Sequence, residues 1–417
     1  MSAGPHNAAP KTVILGGGIA GLEALLALRD LAPGRTEVTL IAPNSRFTYK
    51  PLIVEEPFTF QPAEHRELEP TVREVGGRFV LGVVDAVHPE SQTIVVSDDE
   101  RRYVHELPYD LLIVCVGGRS RAVYKHAATF RFRSVGDPLE VDDLIAQAEA
   151  HDSRRVGFVV PPGVGWTLPL YELALLTRVR AEETGRPGLR IALYTPEESP
   201  LILFGETASE SVAQVLEARE IDFFGGVSVR ESDGALRGAP GGEVIDAGAV
   251  AALPAIEGPR LSGLPFDEHG FIPIDEHSRV IGVEDVYAAG DGANFPIKQG
   301  GLGTQQADAA AEHIAARLGA DVEARPFRPV LRGKLLTGGE SVGMRHDLAG
   351  GHGEGIASAH HLWWPPDKVG GRYLAPWLAR EQRSAEHEAP PQLVDIEVAL
   401  PREWQGKIGF DPYNARP

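Results

Sequence analysis

The chain has 417 residues, which is long enough for two or three domains. It carries 40 Lys and Arg against 59 Asp and Glu, and this net charge of −19 argues against nucleic acid and anionic lipid as electrostatic partners. The one cysteine excludes an intrachain disulfide, and no run of about 18 apolar residues predicts a membrane-spanning helix. We expect a cytoplasmic protein, and peripheral contact with the inner face of the membrane stays open.

The first strong motif is KTVILGGGIAGLEALLALR, residues 11–29. A short apolar run predicts a buried parallel strand, and Gly16, Gly18 and Gly21 follow it with the G-x-G-x-x-G spacing. In this motif the first glycine allows a tight turn, the second lets the backbone approach a pyrophosphate, and the third lets the next helix pack on the strand. The N-terminus of that helix attracts phosphate, so the stretch predicts dinucleotide binding.

The second predicted strand, residues 37–41, lacks the acidic residue that binds the ribose in dinucleotide units. Asn44 and Ser45 are the polar side chains that follow it. Tyr49 and Lys50 come shortly afterwards, near the carboxyl end of the strand, where such sheets bind ligands. These two residues are either an exposed loop pair or neighbours of a cofactor ring.

Residues 79–87 and 93–96 predict short antiparallel strands of a small crossover sheet. The stretch YDLLIVCV, residues 109–116, predicts another buried strand, with Cys115 as an inert core thiol. Gly117 and Gly118 close this strand, and Arg119 after them reaches either a phosphate or solvent.

A second nucleotide unit is expected to begin near residue 151. Its loop, PPGVGWTLPLYE, is a poor copy of the first motif, because Gly163 and Gly165 keep two positions while Leu168 fills the third. Glu197 and Glu198 lie beyond the next strand as candidate ribose acids. The unit either binds NAD(P)H or keeps the fold without the nucleotide.

The second strong motif is GFIPIDEHSRVIGVEDVYAAGD, in which residues 270–275 and 286–289 predict strands. Gly290 turns the chain, and Asp291 can accept hydrogen bonds from a sugar or ribityl chain. A glycine loop at 300–303 should lead into a helix over 304–318, whose N-terminus stabilises negative charge on a reduced cofactor.

The last 90 or so residues contain the aromatic segment HLWWPPDKVGGRYLAPWLAR. An interfacial membrane or quinone-entry surface is one interpretation. Packing against the other domains or a second subunit is the other. Four histidines in this region have no spacing that suits a metal site.

Together these motifs resemble the FAD-dependent pyridine nucleotide-disulfide oxidoreductase superfamily over about residues 11–345. The segment PIKQGGLGTQQA is similar to one in its quinone-reducing branch, which includes sulfide:quinone oxidoreductases and type II NADH dehydrogenases. The resemblance implies that Lys298 lies beside the flavin and that Glu172 faces it. The sulfide enzymes carry a reactive cysteine in the loop where this chain has Thr167 or a neighbour, so sulfide is not the expected substrate.

The sequence therefore predicts an α/β protein with two Rossmann-like dinucleotide-binding domains, the first of them discontinuous. The predicted parts are 1–150 (first part of the FAD domain), 151–282 (second, NAD(P)-type domain), 283–325 (second part of the FAD domain) and 326–417 (a C-terminal interface region). The expected cofactor is FAD, and NAD(P)H is the expected transient reductant of a quinone-like acceptor, without redox-active cysteines. An FAD-binding redox sensor or interaction module with little turnover is the alternative, and a homodimer stays open.

The candidate catalytic residues are Lys298, Glu172, Tyr49 and Lys50. The candidate cofactor-binding residues are Gly16, Gly18, Ile19, Ala20, Gly21, Asn44, Val84, Gly117, Arg119, Gly290, Asp291, Gly301 and Leu302.

Overall fold

The computed structural model describes residues 9–59, 65–98, 104–132, 139–348 and 355–382. The strands of these residues are, in chain order, β1 (Lys11–Leu15), β2 (Glu37–Ala42), β3 (Arg46–Thr48), β4 (His65–Glu67), β5 (Arg78–Leu81), β6 (Val83–His88), β7 (Thr93–Ser97), β8 (Val104–Pro108), β9 (Leu111–Val114), β10 (Arg119–Arg121), β11 (Ala128–Thr129), β12 (Arg155–Val159), β13 (Arg190–Tyr194), β14 (Ile221–Phe224), β15 (Ser228–Ser232), β16 (Ala235–Ala239), β17 (Glu243–Val244), β18 (Ala249–Ala252), β19 (Ala255–Glu257), β20 (Val286–Ala288), β21 (Val330–Leu335), β22 (Val342–Asp347) and β23 (Ile356–Ser358).

The α-helices of the same residues are α1 (Ile19–Leu31), α2 (Glu56–Thr59), α3 (Leu68–Glu74), α4 (Val141–Glu149), α5 (Leu168–Glu183), α6 (Glu206–Ala218), α7 (Gly300–Arg317) and α8 (Leu374–Gln382). Short 3₁₀ helices lie at Lys50–Glu55, Pro89–Ser91 and Ile202–Phe204.

The first parallel sheet has the strand order β20-β9-β1-β2-β5. Strand β20 pairs with β9, so the chain returns to this sheet after building the second one. Helices α1 and α7 pack against each other beside it, and both present small side chains such as Ala24 and Ala310 at no exposure. Small residues allow this close approach, and the apolar face of the sheet is thereby removed from water. The predicted discontinuous Rossmann-like architecture is the one observed.

The second parallel sheet has the order β11-β18-β12-β13-β14. Helix α5 follows β12 and is buried over most of its length, with Leu170, Leu173 and Leu175 fully buried. Burial of such a leucine stabilises the fold by about 1.5–3 kcal/mol. The antiparallel pair β10 and β19 lies where the chain passes between the two parallel sheets.

Two of the predicted strands differ from the structure. Residues 79–87 are divided, because β5 joins the edge of the parallel sheet while β6 pairs with β7 in the small antiparallel sheet. Residues 270–275 form isolated bridges, such as Ile272 with Ala293, instead of a continuous strand. Closely spaced strand-forming residues do not reveal which sheet each one joins.

The described part of the aromatic C-terminal segment packs mostly inward. Trp377 of α8 is 7% exposed in the core beneath the first sheet, and the Trp363 indole N–H donates to the Asp367 carbonyl oxygen at 2.8 Å. Trp364 is 39% exposed. None of the helices in the described ranges is long and apolar enough to cross a bilayer. Residues 383–417 of the predicted interface region lie outside the described residues.

Gly21 provides a test of the packing between the first glycine loop and α1. A Cβ atom there would lie 1.9 Å from the Gly16 carbonyl oxygen, whereas a Cβ atom on Gly18 would have no atom within 4 Å. We expect Gly21→Ala to lower the free energy of unfolding by about 1–3 kcal/mol or more. Gly18→Ala is the matched control and should cost less. Urea unfolding of nucleotide-free protein measures both, and an equal loss for the two variants would contradict this packing.

Candidate active site

A cavity of about 920 Å³ opens between the two parallel sheets and the C-terminal segment. Thirteen of the seventeen predicted site residues line it: Gly16, Gly18, Ile19, Ala20, Asn44, Lys50, Val84, Gly117, Arg119, Glu172, Gly290, Asp291 and Lys298. They come from both strong motifs and from the second unit. The carboxyl ends of β1, β2 and β9 meet at this cavity, as expected for a ligand site in a parallel sheet.

The first glycine loop leaves open space where a nucleotide pyrophosphate would lie. Gly16 has φ +110°, and a Cβ atom on it would lie 2.2 Å from the Cys115 carbonyl oxygen. Gly18 is the N-cap of α1 and makes no side-chain cap, and a Cβ atom there would enter empty space. The first N–H groups of a helix have no partner within it. This loop therefore fits the pyrophosphate of a dinucleotide.

Four predicted residues do not line the cavity: Gly21, Tyr49, Gly301 and Leu302. Tyr49 is 3% exposed, and its hydroxyl donates to Asp367 Oδ1 at 2.9 Å and accepts from the Val369 N–H at 2.9 Å. The side chain therefore anchors the C-terminal segment and does not line the cavity. The sequence could not indicate this contact, because the two partners are 318 positions apart.

The start of α7 also differs from the prediction. The helix begins at Gly300, so the expected glycine loop is its first turn. The Leu302 N–H donates to the Gln299 side-chain oxygen at 2.8 Å, so this donor is already occupied. The side-chain oxygen of Gln306 accepts from the Gly290 N–H at 2.8 Å and fixes the turn after β20. Gly301 and Leu302 thus position the helix without reaching the cavity.

Lys298 is the most strongly perturbed cation in the cavity wall. Its Nζ atom donates to the Ala293 carbonyl oxygen at 2.5 Å and lies 3.5 Å from the centre of the Phe271 ring. Burial lowers the pKa of Lys298 to about 8, while Asp291 and Asp267 act in the opposite direction. Burial raises the pKa of Asp291, against the influence of Lys298 and Lys50. An acid and a base in this cavity are thus both held away from their ordinary pKa values.

A buried ion pair contributes to the wall of the cavity. Glu172 is not exposed, and its Oε2 lies 2.7 Å from Lys368 Nζ while its Oε1 accepts from the Leu336 N–H at 2.9 Å. Lys368 Nζ also donates to the Pro51 carbonyl oxygen at 3.1 Å. Burial raises the pKa of Glu172, although Lys368 opposes this shift. Lys368 was missed by sequence reasoning, and its only signal was a lone lysine in an aromatic segment.

Several other residues that line the cavity were not predicted from the sequence. Arg46, Thr48, Lys334 and Trp166 also line it. Arg46 pairs with Glu67 at 2.6 Å, and both side chains are at least half exposed, so this pair contributes little to stability. No motif marks these positions, because they come from segments far apart in the chain: β3, the loop before α5, and β21.

Comparison with known proteins agrees with this geometry. Residues 10–157 match the family described as pyridine nucleotide-disulphide oxidoreductase. This match covers about a third of the chain.

Individual proteins extend the likeness beyond residues 10–157. The demethylphylloquinone reductase NdbB of Synechocystis sp. is 24% identical over 348 residues, covering 78% of this chain and 82% of the relative. The sulfide:quinone oxidoreductase of Aquifex aeolicus has a TM-score of 0.72 at 17% identity, covering 84% of this chain and 87% of that one. NDH2 of Plasmodium falciparum, solved with NADH, has a TM-score of 0.53 at 18% identity, covering 68% and 64%. The predicted resemblance and the predicted α/β fold class are confirmed, and these matches agree with the predicted oxidoreductase class.

The ion pair yields a stability prediction. Lys368→Met leaves the Glu172 carboxylate buried without its cation, and we expect a loss of about 3–5 kcal/mol of unfolding free energy near pH 8. The pKa of Glu172 is already above its unfolded value and rises further in this variant. The carboxyl group therefore becomes neutral as the pH falls, and the loss should be smaller near pH 5.

Urea unfolding of wild type and Lys368→Met at both pH values measures this difference. The double variant Glu172→Gln/Lys368→Met is the control, and it should recover most of the loss near pH 8 because no buried charge remains. If Lys368→Met lost the same unfolding free energy at both pH values, the predicted protonation of Glu172 at low pH would be wrong.

Proposed function

We propose that this protein is an FAD-dependent oxidoreductase that passes electrons from a reductant to a quinone-like acceptor without redox-active cysteines. The observation that carries the proposal is the convergence of the glycine loop, Asp291, Lys298 and the Glu172–Lys368 pair on one cavity. The named activities of NdbB and of the Aquifex enzyme, both quinone-linked, support the choice of acceptor.

The cavity suits FAD in chemistry and position. The start of α1 would hold the pyrophosphate through backbone N–H groups, because Gly18 has no side chain to block it. Asp291 would accept hydrogen bonds from the ribityl chain at the turn after β20. Asn44 lies at the end of β2, where the adenosine ribose is expected. When bound, FAD supplies the two-electron chemistry between reductant and acceptor.

Lys298 would stabilise negative charge on the reduced cofactor. Its ammonium group lies in the cavity wall next to the first turn of α7, where the helix dipole adds positive potential. The Ala293 carbonyl and the Phe271 ring hold the Nζ atom in place, so little reorganisation is needed when charge develops.

The Glu172–Lys368 pair would serve the acceptor side. Reduction of a quinone to a quinol consumes two electrons and two protons, so a site for this reaction needs groups that hold protons. Glu172 and Lys368 share a 2.7 Å contact and both line the cavity. Burial brings the pKa of Glu172 upward, toward the range in which a carboxyl group can exchange a proton near neutral pH.

The cysteine chemistry of other disulfide oxidoreductases does not fit this chain. Cys115 is the only cysteine, and it contributes to the cavity lining but is only 6% exposed. Burial raises the pKa of its thiol to about 12, so the reactive thiolate is scarce at neutral pH.

The domain boundaries at residues 150, 282 and 325 follow from the same proposal, since the segment that returns to the first sheet carries Asp291 and Lys298. Peripheral contact at the cytoplasmic face of a membrane would bring a lipid-soluble quinone within reach of the cavity. A homodimer is a further proposal, and the partly exposed Trp364 is a candidate contact for either surface.

An FAD-binding redox sensor with little turnover is the second candidate function. The observation that favours it is the degenerate loop before α5, which has Leu168 at the third glycine position. Multi-turnover reduction of a soluble quinone, driven by a chemical or enzymatic reductant, separates the two candidates. Sustained turnover supports the oxidoreductase. One turnover per flavin supports the sensor.

Gly18→Val tests the placement of the cofactor. The side chain would enter the space reserved for the pyrophosphate without contacting protein, so we expect a folded protein that has lost FAD. Absorbance of the purified variant and of the wild type at the flavin band measures retention, and circular dichroism checks the fold. A yellow variant with stoichiometric FAD would rule out this placement.

Lys298→Met tests the charge at the cavity. We expect flavin reduction to slow by about 10- to 100-fold while FAD stays bound. In the wild type, the rate should fall as the pH rises through about 8, because the ammonium group then loses its proton. This pH dependence should be absent from Lys298→Met, which stays slow, and from Lys298→Arg, which stays charged at every working pH and should keep the fast rate. Unchanged rates in Lys298→Met would remove this residue from the mechanism.

A further inference from the structure

The candidate ribose acid of the second sheet is already engaged within the protein. Glu197 Oε2 accepts from the Tyr171 hydroxyl at 2.8 Å and from the Thr195 hydroxyl at 3.0 Å. Its Oε1 accepts from the Thr167 hydroxyl at 3.1 Å. Tyr171 is itself fully buried and accepts from the Leu201 N–H at 3.3 Å. The carboxylate that should bind a nucleotide ribose therefore ties the start of α5 to the end of β13.

The N-terminus of α5 has also lost the features of a phosphate site. Leu168 and Leu170 of its first turn are buried in the core, and Pro169 between them has no N–H group. The Leu170 N–H donates to the Thr167 carbonyl oxygen at 2.9 Å. A dinucleotide needs free N–H groups and a small residue at this point. Here the Leu170 N–H is engaged, Pro169 has no N–H, and Leu168 stands at the third glycine position of the motif.

The loop before α5 faces the cavity of the first sheet instead. Residues 163–166 all line that cavity, together with Leu168 and Pro169. A Cβ atom on Gly165 would lie 2.8 Å from the Pro296 carbonyl oxygen, so this glycine permits close packing on the segment that carries Lys298. Trp166 packs edge-on against Phe204, with the ring centres 5.9 Å apart.

We infer that the second sheet does not hold a dinucleotide and that the reductant enters the flavin cavity directly past residues 163–166. The inference rests on the proposed function, because it takes that cavity as the flavin site. The inference restricts the electron donor to molecules that this protein recognises without an adenosine diphosphate group. Residues 163–166, which stand at the position of the second glycine motif, form part of the wall of the flavin cavity here.

The test compares NADH and NADPH with N-benzyl-1,4-dihydronicotinamide, which carries the reducing ring without the adenosine diphosphate group. Each dihydronicotinamide becomes its pyridinium form and supplies the hydride that bleaches the flavin band of the anaerobic holoprotein. We expect rates that rise linearly with NADH concentration and second-order constants within about threefold for the three donors. Saturation with NADH, or a preference over the minimal donor above about tenfold, would overturn the inference.

A binding measurement gives an answer that does not depend on turnover. Calorimetric titration of the purified full chain with ADP-ribose and with NAD⁺ should give no saturable heat. Saturable binding of either ligand, competing with NADH, would contradict the inference. The calorimetric titration can also be done on protein without flavin. If the purified protein contained no flavin, that result would count against the proposed function and not against this inference.

Isosteric variants separate the two candidate acids. Glu198 is exposed, so it is the acid that stays accessible if Glu197 is engaged. Glu197→Gln and Glu198→Gln should leave the ratio of NADH to minimal-donor rates unchanged. Trp166→Ala, in the cavity wall, should change the rates of both donors by the same factor. A selective loss of the NADH rate in either glutamine variant would restore the nucleotide site.

Discussion

The buried ion pair between Glu172 and Lys368 determines how the parts of this protein enclose one cavity. Two charges withdrawn from water are costly unless each finds further hydrogen-bonding partners. Here the Leu336 N–H and the Pro51 carbonyl oxygen supply them. The pair joins residues 196 positions apart in sequence. The pair thus connects helix α5, the end of strand β21, the 3₁₀ helix at Lys50–Glu55 and the C-terminal segment, and each of these contributes residues to the cavity lining.

At the first glycine loop the same cavity depends on the absence of side chains. Gly16 and Gly21 bring β1, β9 and α1 so close together that a methyl group at either position would overlap a backbone oxygen. Gly18 leaves its space open toward the cavity. The first glycine loop therefore presents backbone N–H groups to the cavity, whereas the Glu172–Lys368 pair brings buried charge to it. This division suits a cofactor with phosphates at one end and a redox ring at the other.

Local spacing was sufficient to predict much of this arrangement. The glycine loop, the strands of the first sheet and the return of the chain near Asp291 are short-range patterns, and each places a backbone feature at the carboxyl edge of a sheet. Tyr49 was predicted at the cofactor ring, but its hydroxyl binds Asp367 and the Val369 N–H. Lys368 was not predicted at all. Both depend on contacts between segments more than 190 positions apart, which no local pattern encodes.

For the second nucleotide unit, residues 151–282, the sequence motif could not predict whether a nucleotide binds. Its glycine spacing left nucleotide binding open, and Glu197 had the expected position for a ribose acid. The hydrogen bonds from Tyr171, Thr167 and Thr195 are what distinguish a structural carboxylate from a ligand-binding one. A single sequence does not reveal whether an acid beyond a strand is satisfied by its own protein.

The most direct measurement is a single-turnover reaction of the reduced protein with a quinone. The purified protein would be photoreduced without oxygen and mixed in a stopped-flow instrument with a water-soluble naphthoquinone. We predict that the oxidised flavin band returns at a rate that increases with quinone concentration, with about one quinol formed per flavin. A flavin band that stays bleached, or that returns at the same rate without quinone, would contradict electron transfer from this cavity to a quinone-like acceptor.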